Sequence, residues 1–211
     1  MPNATSQNQN LAVSDSKFSA KRYVTFQEFL ELVKSGRFEW EDGKLIKLPT
    51  NTYLQAKTFD MLFVVLGLYV KYSELGWVIG EVFSMWLEPV RRGRTPDLIF
   101  VSKQRKHLIN DTFLNGAADL TVEIVSDESV YRDRVTKFGE YETVGIKEYW
   151  IISPEETLAQ FYYLNENGKY EMAAIENGVF RSKVIKDFWL KVEWLWSLPN
   201  ELEILRELKV I

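Results

Sequence analysis

The stretch Asp119-Leu-Thr-Val-Glu-Ile-Val125 constrains the fold more than any other part of the chain. Its apolar residues run nearly without interruption instead of alternating with polar ones, so it reads as a strand covered on both faces. A helical pattern from about Val130 to Val144 follows, closed by Gly145, and then a second apolar strand, Glu148-Tyr-Trp-Ile-Ile152. Strand, helix and strand in that order imply a right-handed crossover with the two strands parallel. The expected architecture is therefore α/β (α+β), a mixed central sheet flanked by helices.

Glu123 stands inside this apolar strand, sharing a face with Thr121 and Val125 by the period of two. A carboxylate in such a place is costly unless it is paired or binds a metal. Pro96-Asp97 opens another strand, Asp97 to Val101, and if the two strands are neighbours the two carboxylates converge on one edge of the sheet. Such an oxygen-rich, doubly negative site suits Mg²⁺ or Mn²⁺ and, with it, phosphodiester hydrolysis. The alternative is that Glu123 pairs with an arginine or lysine. On the following helix Asp133, Lys137 and Tyr141 lie four residues apart and share one face. Packed back over the strand ends, Lys137 could orient the attacking water or stabilise charge growing on phosphate. An ordinary surface ion pair between Asp133 and Lys137 fits the same spacing.

The rest of the chain supplies a frame for these residues. Thr25 and Glu28 have capping-box spacing at the start of a short helix that Gly36 ends. Arg37 to Leu48 reads as a hairpin turning at Asp42-Gly43. A long helix runs from Thr52 to about Glu74, capped by Thr50 or Asn51 and apolar over much of its circumference. Val82 to Leu87 is a strand, separated from Asp97 to Val101 by a basic turn around Gly93. Further strands are expected at Leu158 to Leu164 and Tyr170 to Ile175, with a turn at Asn177-Gly178 and a closing helix from Leu198 to Leu208 that has Pro199 near its start. Residues 1–18 read as a flexible tail and 19–211 as one domain.

The chain has no cysteine, so disulfides and thiolate metal sites are excluded and a reducing, cytoplasmic setting is expected. The longest apolar run, Met61 to Val70, covers ten residues, short of the roughly 20 that span a bilayer, so no membrane partner is expected. A net charge of −4 argues against a broad nucleic-acid-coating surface. Between Arg91 and Lys106, however, Arg91, Arg92, Arg94, Lys103, Arg105 and Lys106 face only Asp97, and this segment is the candidate for attracting a phosphate backbone. The alternative is a solvated loop with surface cations. The lone histidine, His107, is assigned no role, and Trp189, Trp194 and Trp196 read as core.

Taken together, Pro96-Asp97-Leu-Ile-Phe-Val-Ser102, Asp119 to Ser126, Arg132-Asp133 with Lys137, Tyr141 and Gly145, and Glu148 to Ile152 resemble the Uma-two family of restriction endonucleases, which is abundant in cyanobacteria. Phe38-Glu39-Trp-Glu-Asp-Gly43 and Asp187-Phe-Trp-Leu190 are similar to its flanking signatures, so the resemblance covers roughly residues 22–197. It implies a PD-(D/E)XK, restriction-endonuclease-like fold with an additional N-terminal hairpin. It further implies that Asp97, Glu123 and the Ile124 carbonyl are the metal ligands and that Glu39 completes the site. The usual motif has a lysine two residues after the glutamate; here that position is Val125, and the resemblance implies that Lys137 substitutes. Many members carry a histidine near the start of the long helix, where this chain has Tyr53, Leu54 and Gln55. The expected function is a Mg²⁺- or Mn²⁺-dependent endonuclease acting on DNA, a possible homodimer in keeping with a two-stranded substrate. The competing readings are a nuclease-fold module that binds nucleic acid or regulates without cutting, and a structural dimer formed through the long helix.

Overall fold

The structure, a computed structural model, describes residues 23–80, 82–126 and 129–211; the expected tail lies outside them. Helix α1 (Phe26–Leu32) begins in a full capping box: Thr25 Oγ1 accepts from the Glu28 N–H, and the Glu28 carboxylate accepts from the Thr25 N–H. Strands β1 (Phe38–Glu41) and β2 (Lys44–Lys47) form the expected hairpin, with Asp42 and Gly43 both at positive φ in the turn. Helix α2 (Tyr53–Tyr72) starts one residue later than the sequence suggests. Thr52, not Thr50 or Asn51, is the cap, because Gln55 stands at the third helical position and its side chain reaches back to the Thr52 N–H.

Then come β3 (Gly76–Gly80), β4 (Ser84–Leu87), β5 (Arg92–Arg94), β6 (Leu98–Ser102), the two-residue β7 (Phe113–Leu114) and β8 (Leu120–Ile124). A π-helical segment, Arg132–Lys137, leads into α3 (Phe138–Val144), which Gly145 terminates at φ 80°. Strands β9 (Glu148–Ser153), β10 (Leu158–Leu164), β11 (Tyr170–Met172), β12 (Val179–Arg181) and β13 (Trp189–Lys191) and helices α4 (Trp194–Ser197) and α5 (Glu201–Glu207) complete the described chain. The last helix begins after the position expected from Pro199. Leu198 sits at φ 47°, so the helical path starts afresh with Asn200 capping the Leu202 N–H.

The central sheet has the order β11-β10-β9-β8-β6-β3. Strands β8 and β9 are parallel, as the crossover requires, and β6 pairs with β8 antiparallel, Leu98 opposite Val122. The period of two divides this sheet between two cores. Leu98, Phe100, Val122, Ile124, Trp150 and Ile152 face Met61, Leu62, Val65 and Leu66 of α2, in a cluster that also takes in Trp194, Leu195, Ile204 and Leu205 of the last helices. Ile99, Val101, Tyr149 and Ile151 face the other way, against Tyr141 of α3 and Met85 and Leu87 of β4. Helix α2 has the length and composition of a membrane span, but one side of it is buried in the first core, while Phe63, Leu68 and Tyr72 point outward.

The N-terminal hairpin belongs to a second sheet, β2-β1-β5-β4-β7. The basic turn expected around Gly93 is a strand here, with Gly93 opposite both Trp40 and Trp86. A Cβ at Gly93 would lie 3.0 Å from Phe26 and Phe29 ring atoms and 3.1 Å from Trp40 Cβ, so any larger residue would press β5 against this aromatic cluster. Closing β1 against β5 brings Glu39 and Arg94 beneath the end of the central sheet that carries Asp97 and Glu123.

Candidate active site

Asp97 immediately precedes β6, and the antiparallel register with β8 sets it beside Glu123 and Ile124. Its Oδ2 accepts from the Ile124 N–H at 2.7 Å and its Oδ1 from Arg37 Nη2 at 2.8 Å. Glu123 is 4% exposed. Its Oε1 accepts from the Tyr141 hydroxyl at 2.8 Å, and its Oε2 lies 2.9 Å from Lys137 Nζ. The face shared by Asp133, Lys137 and Tyr141 does pack over the strand end, and Lys137 is a hub rather than half of a surface pair. Only 1% exposed, its ammonium also meets Glu39 Oε1 at 2.8 Å and Asp133 Oδ1 at 3.0 Å. The helix is π-wound over this stretch, a winding often found at functional sites.

A second cation stands behind the first. Arg94 Nη1 donates to Glu39 Oε2 at 2.9 Å and to Glu41 at 2.8 Å, and its Nε and Nη2 grip Glu140 through two bonds of 2.7 Å. Glu39 is thus a bridge between Arg94 and Lys137. It supports the lysine from below, with no solvent-facing side of its own.

These contacts set the protonation of the group. Burial alone would raise the Glu39 carboxyl, but the Lys137 ammonium and Arg94 guanidinium outweigh it and hold the group down at about 2. Glu123 moves the other way, to about 8: burial raises it, Lys137 offsets part of that, and the nearby Asp133, Asp97 and Glu39 charges push it further up. For Lys137 burial favours the neutral amine, but the surrounding carboxylates of Asp133, Glu123 and Glu39 prevail and keep the ammonium charged. Tyr141 is raised by burial and by Glu123, so it remains a phenol that can donate.

A cleft opens at this point, lined by Arg37, Asp97, Glu123, Ser126, Arg132 and Lys137 among others. Among the described residues no three acidic or histidine side chains are arranged to hold an ion by themselves. The donor set nevertheless fits a hard divalent cation. Asp97, Glu123 and the Ile124 carbonyl offer only oxygen, and Glu123 lies in an excess of negative charge that added positive charge would relieve. An ion such as Mg²⁺, which retains several waters, needs few protein ligands. Val125, where the usual lysine would stand, is buried in the second core, and its carbonyl accepts from Gln55 Nε2 at 3.2 Å.

The basic segment is corrected by the structure. Arg94 is 0% exposed and committed to three glutamates, so it cannot meet a phosphate backbone. Arg92 is paired with Glu140 and Arg91 with Asp42. Lys103, Arg105 and Lys106 follow the far end of β6, roughly 16 Å from Asp97 at about 3.3 Å per residue. There Lys103 meets Glu74, Arg105 meets Asp119, and Lys106 lies over the Trp77 ring. The expected patch is therefore not one surface. The cations that do line the cleft besides Lys137 are Arg37 and Arg132. Arg37 carried no signal in the sequence, since its partner Asp97 lies 60 residues away.

A model of the Uma2 family, described as "Putative restriction endonuclease", matches residues 26–193. Among solved structures the chain is similar to the crystal structure of a "putative nuclease belonging to DUF820" from Anabaena variabilis. The two share 19% identity at a TM-score of 0.68, over 82% of this chain and 98% of that one, a likeness of fold. No curated protein matches the chain.

Proposed function

The chain belongs to the Uma2 family and has a restriction-endonuclease-like fold, and on that premise we propose that it is a metal-dependent endonuclease hydrolysing phosphodiester bonds in DNA. The observation that carries the reading is the meeting of Asp97, Glu123 and Lys137 in one cleft, with Lys137 Nζ 2.9 Å from Glu123. Asp97, Glu123 and the Ile124 carbonyl would hold Mg²⁺ or Mn²⁺. Such an ion polarises a phosphoryl oxygen and lowers the pKa of its bound water. Arg37 and the Ile124 N–H fix the Asp97 carboxylate, and Tyr141 fixes that of Glu123. Lys137 remains an ammonium, so its part is to stabilise negative charge growing on phosphate and not to remove a proton.

The test is cleavage of plasmid DNA with Mg²⁺ or Mn²⁺ by the wild type and by Asp97→Asn and Glu123→Gln. Loss of cleavage in each folded variant and in excess chelator is expected; cleavage retained by the double variant refutes the proposal.

One observation favours a second reading, a nucleic-acid-binding module that does not cut. The Lys137 ammonium lies within 3.0 Å of three carboxylates, Glu39, Glu123 and Asp133, which is also how a closed ion-pair hub would look. Calorimetry with Mn²⁺ separates the two, because a closed hub gives no metal heat that depends on Glu123. We further propose that two copies associate through α2. Its outward Phe63, Val64, Leu68 and Tyr72 and the open edge of β3 support this.

A further inference from the structure

Arg132 opens the π segment, and its side chain, 21% exposed, lines the cleft with Asp97 and Glu123. It differs from the other arginines around it. Arg37, Arg92, Arg94 and Arg105 each donate to a carboxylate within 3.3 Å. The nearest carboxylate oxygens to Arg132 Nε are Glu39 Oε2 at 3.8 Å and Asp133 Oδ1 at 3.9 Å, beyond hydrogen-bond reach. Its Nε is buried with no hydrogen-bond partner among the described residues. A guanidinium has five N–H donors, and leaving a buried donor unmet is costly, so a residue held in this way is ready for an acceptor the protein does not itself provide.

In the same cleft Ser126 presents a second idle donor. Its Oγ is buried and has no hydrogen-bond partner among the described residues. The neighbouring Ser129 hydroxyl holds the Ser126 backbone instead, accepting from its N–H at 3.0 Å and donating to its carbonyl at 3.2 Å. The Ser126 backbone is thereby tied to Ser129 while its own hydroxyl makes no hydrogen bond among the described residues. The cleft thus carries both carboxylates suited to a cation and spare donors suited to an oxyanion.

We propose that Arg132 and the Ser126 hydroxyl form the subsite for the non-bridging oxygens of the phosphodiester, next to the Asp97 and Glu123 carboxylates. The assignment rests on the nuclease reading and adds to it the groups that touch the substrate. The planar guanidinium fork matches two phosphate oxygens, which an ammonium cannot reproduce, so arginine is specifically required. The subsite takes the part that the basic segment Arg91 to Lys106 was expected to play, from a residue whose neighbours in sequence are not unusually basic.

The test measures binding of a short duplex in Ca²⁺, as a function of salt, alongside Mg²⁺-dependent cleavage, for the wild type, Arg132→Ala, Arg132→Lys and Ser126→Ala. Arg132→Ala should bind about 10- to 100-fold more weakly, as expected for lost hydrogen bonds to a charged group. The slope of log affinity against log salt should fall by about 0.9, the value for one phosphate contact. Its cleavage rate should drop by about 10²- to 10³-fold, the scale for one lost oxyanion donor. Arg132→Lys should restore the salt slope and only part of the rate. A duplex made with uncharged methylphosphonate linkages should bind wild type and Arg132→Ala alike. Arg132→Lys keeps a positive charge near Glu39 and Asp133, so its thermal midpoint should stay near that of the wild type. If the wild type cuts DNA while Arg132→Ala keeps its slope and rate, the subsite is wrong and the nuclease reading stands. If the wild type neither binds nor cuts, the nuclease reading fails and the subsite falls with it.

Discussion

Replacing Lys137 by methionine should destabilise the protein in a way that depends on pH, and the structure fixes the sign. The ammonium is shared by Glu39, Glu123 and Asp133 in a site almost without solvent. Removing one partner of a buried ion pair costs about 3–5 kcal/mol because it strands the remaining charge. In the wild type Glu39 is held at about 2, below its ordinary value of 4.5. That carboxylate therefore contributes stability above pH 4.5, and the contribution, about 3 kcal/mol by the free energy of a pKa shift, is lost as pH falls toward 2. Without the ammonium the balance reverses. Burial and mutual repulsion then push the carboxylates above their unfolded values, as they already do Glu123, which stands at about 8. The folded variant binds more protons than the unfolded chain above about pH 4.5, so its stability declines as pH rises. Urea denaturation of Lys137→Met should show a loss of about 3–5 kcal/mol at pH 8, shrinking to about 1–2 kcal/mol at pH 5. Adding Glu123→Gln should recover part of the loss at pH 8 and little at pH 5. A deficit equal at the two pH values, or one below about 1 kcal/mol at pH 8, would refute the placement of Lys137 as a buried hub.

Other consequences can be measured separately. Glu123→Gln keeps an oxygen to accept from Tyr141 while removing one charge from a crowded group; it should abolish the heat of Mn²⁺ binding in calorimetry with no fall in thermal midpoint at pH 8. Gly93→Ala places a methyl 3.0 Å from two phenylalanine rings; the expected cost is about 1–3 kcal/mol in chemical denaturation, with reduced cleavage because Arg94 follows on the same strand. Phe63→Glu with Leu68→Glu puts charge on the outward side of α2; light scattering should report a lower mass than the wild type at equal concentration, and unchanged mass refutes association through that face.

The parts of the molecule legible in the sequence are those that local patterns determine. An apolar strand with one embedded carboxylate announced β8 and Glu123, the Asp42-Gly43 turn announced the hairpin, and the four-residue spacing placed Lys137 and Tyr141 on the side of the helix that meets the sheet. What failed was the basic segment. Six cations near one another in sequence suggested one surface, but β5 and β6 run through the interior between them. The carboxylates that bury Arg94 come from Glu39 and Glu41, 55 and 53 residues earlier, and from Glu140, 46 residues later. Nothing near residue 94 records those partners. The hairpin and β4 are legible, but their union into one sheet is not: β5 is three residues long and takes partners distant in sequence, and β7 is two residues long, below what any periodicity can reveal.

Glu39 shows why that second sheet belongs to the chemistry of the first. The resemblance led to the expectation that Glu39 completes a metal site, yet each of its oxygens is taken by a cation, Oε1 by Lys137 and Oε2 by Arg94. Were Lys137 on β8, two residues after Glu123, the strand itself would fix it. Carried on a helix, it needs a counter-charge on the far side, and β1 supplies one, clamped in turn by Arg94 and Glu140. Loss of that clamp should therefore change the rate before it changes metal affinity. Glu39→Gln is expected to retain Mn²⁺ binding, because Asp97 and Glu123 are untouched, while cleavage falls and the Lys137 ammonium loses one of its three carboxylates. A variant that loses metal affinity and rate together would show instead that Glu39 is a ligand, and that the hairpin completes the metal site directly.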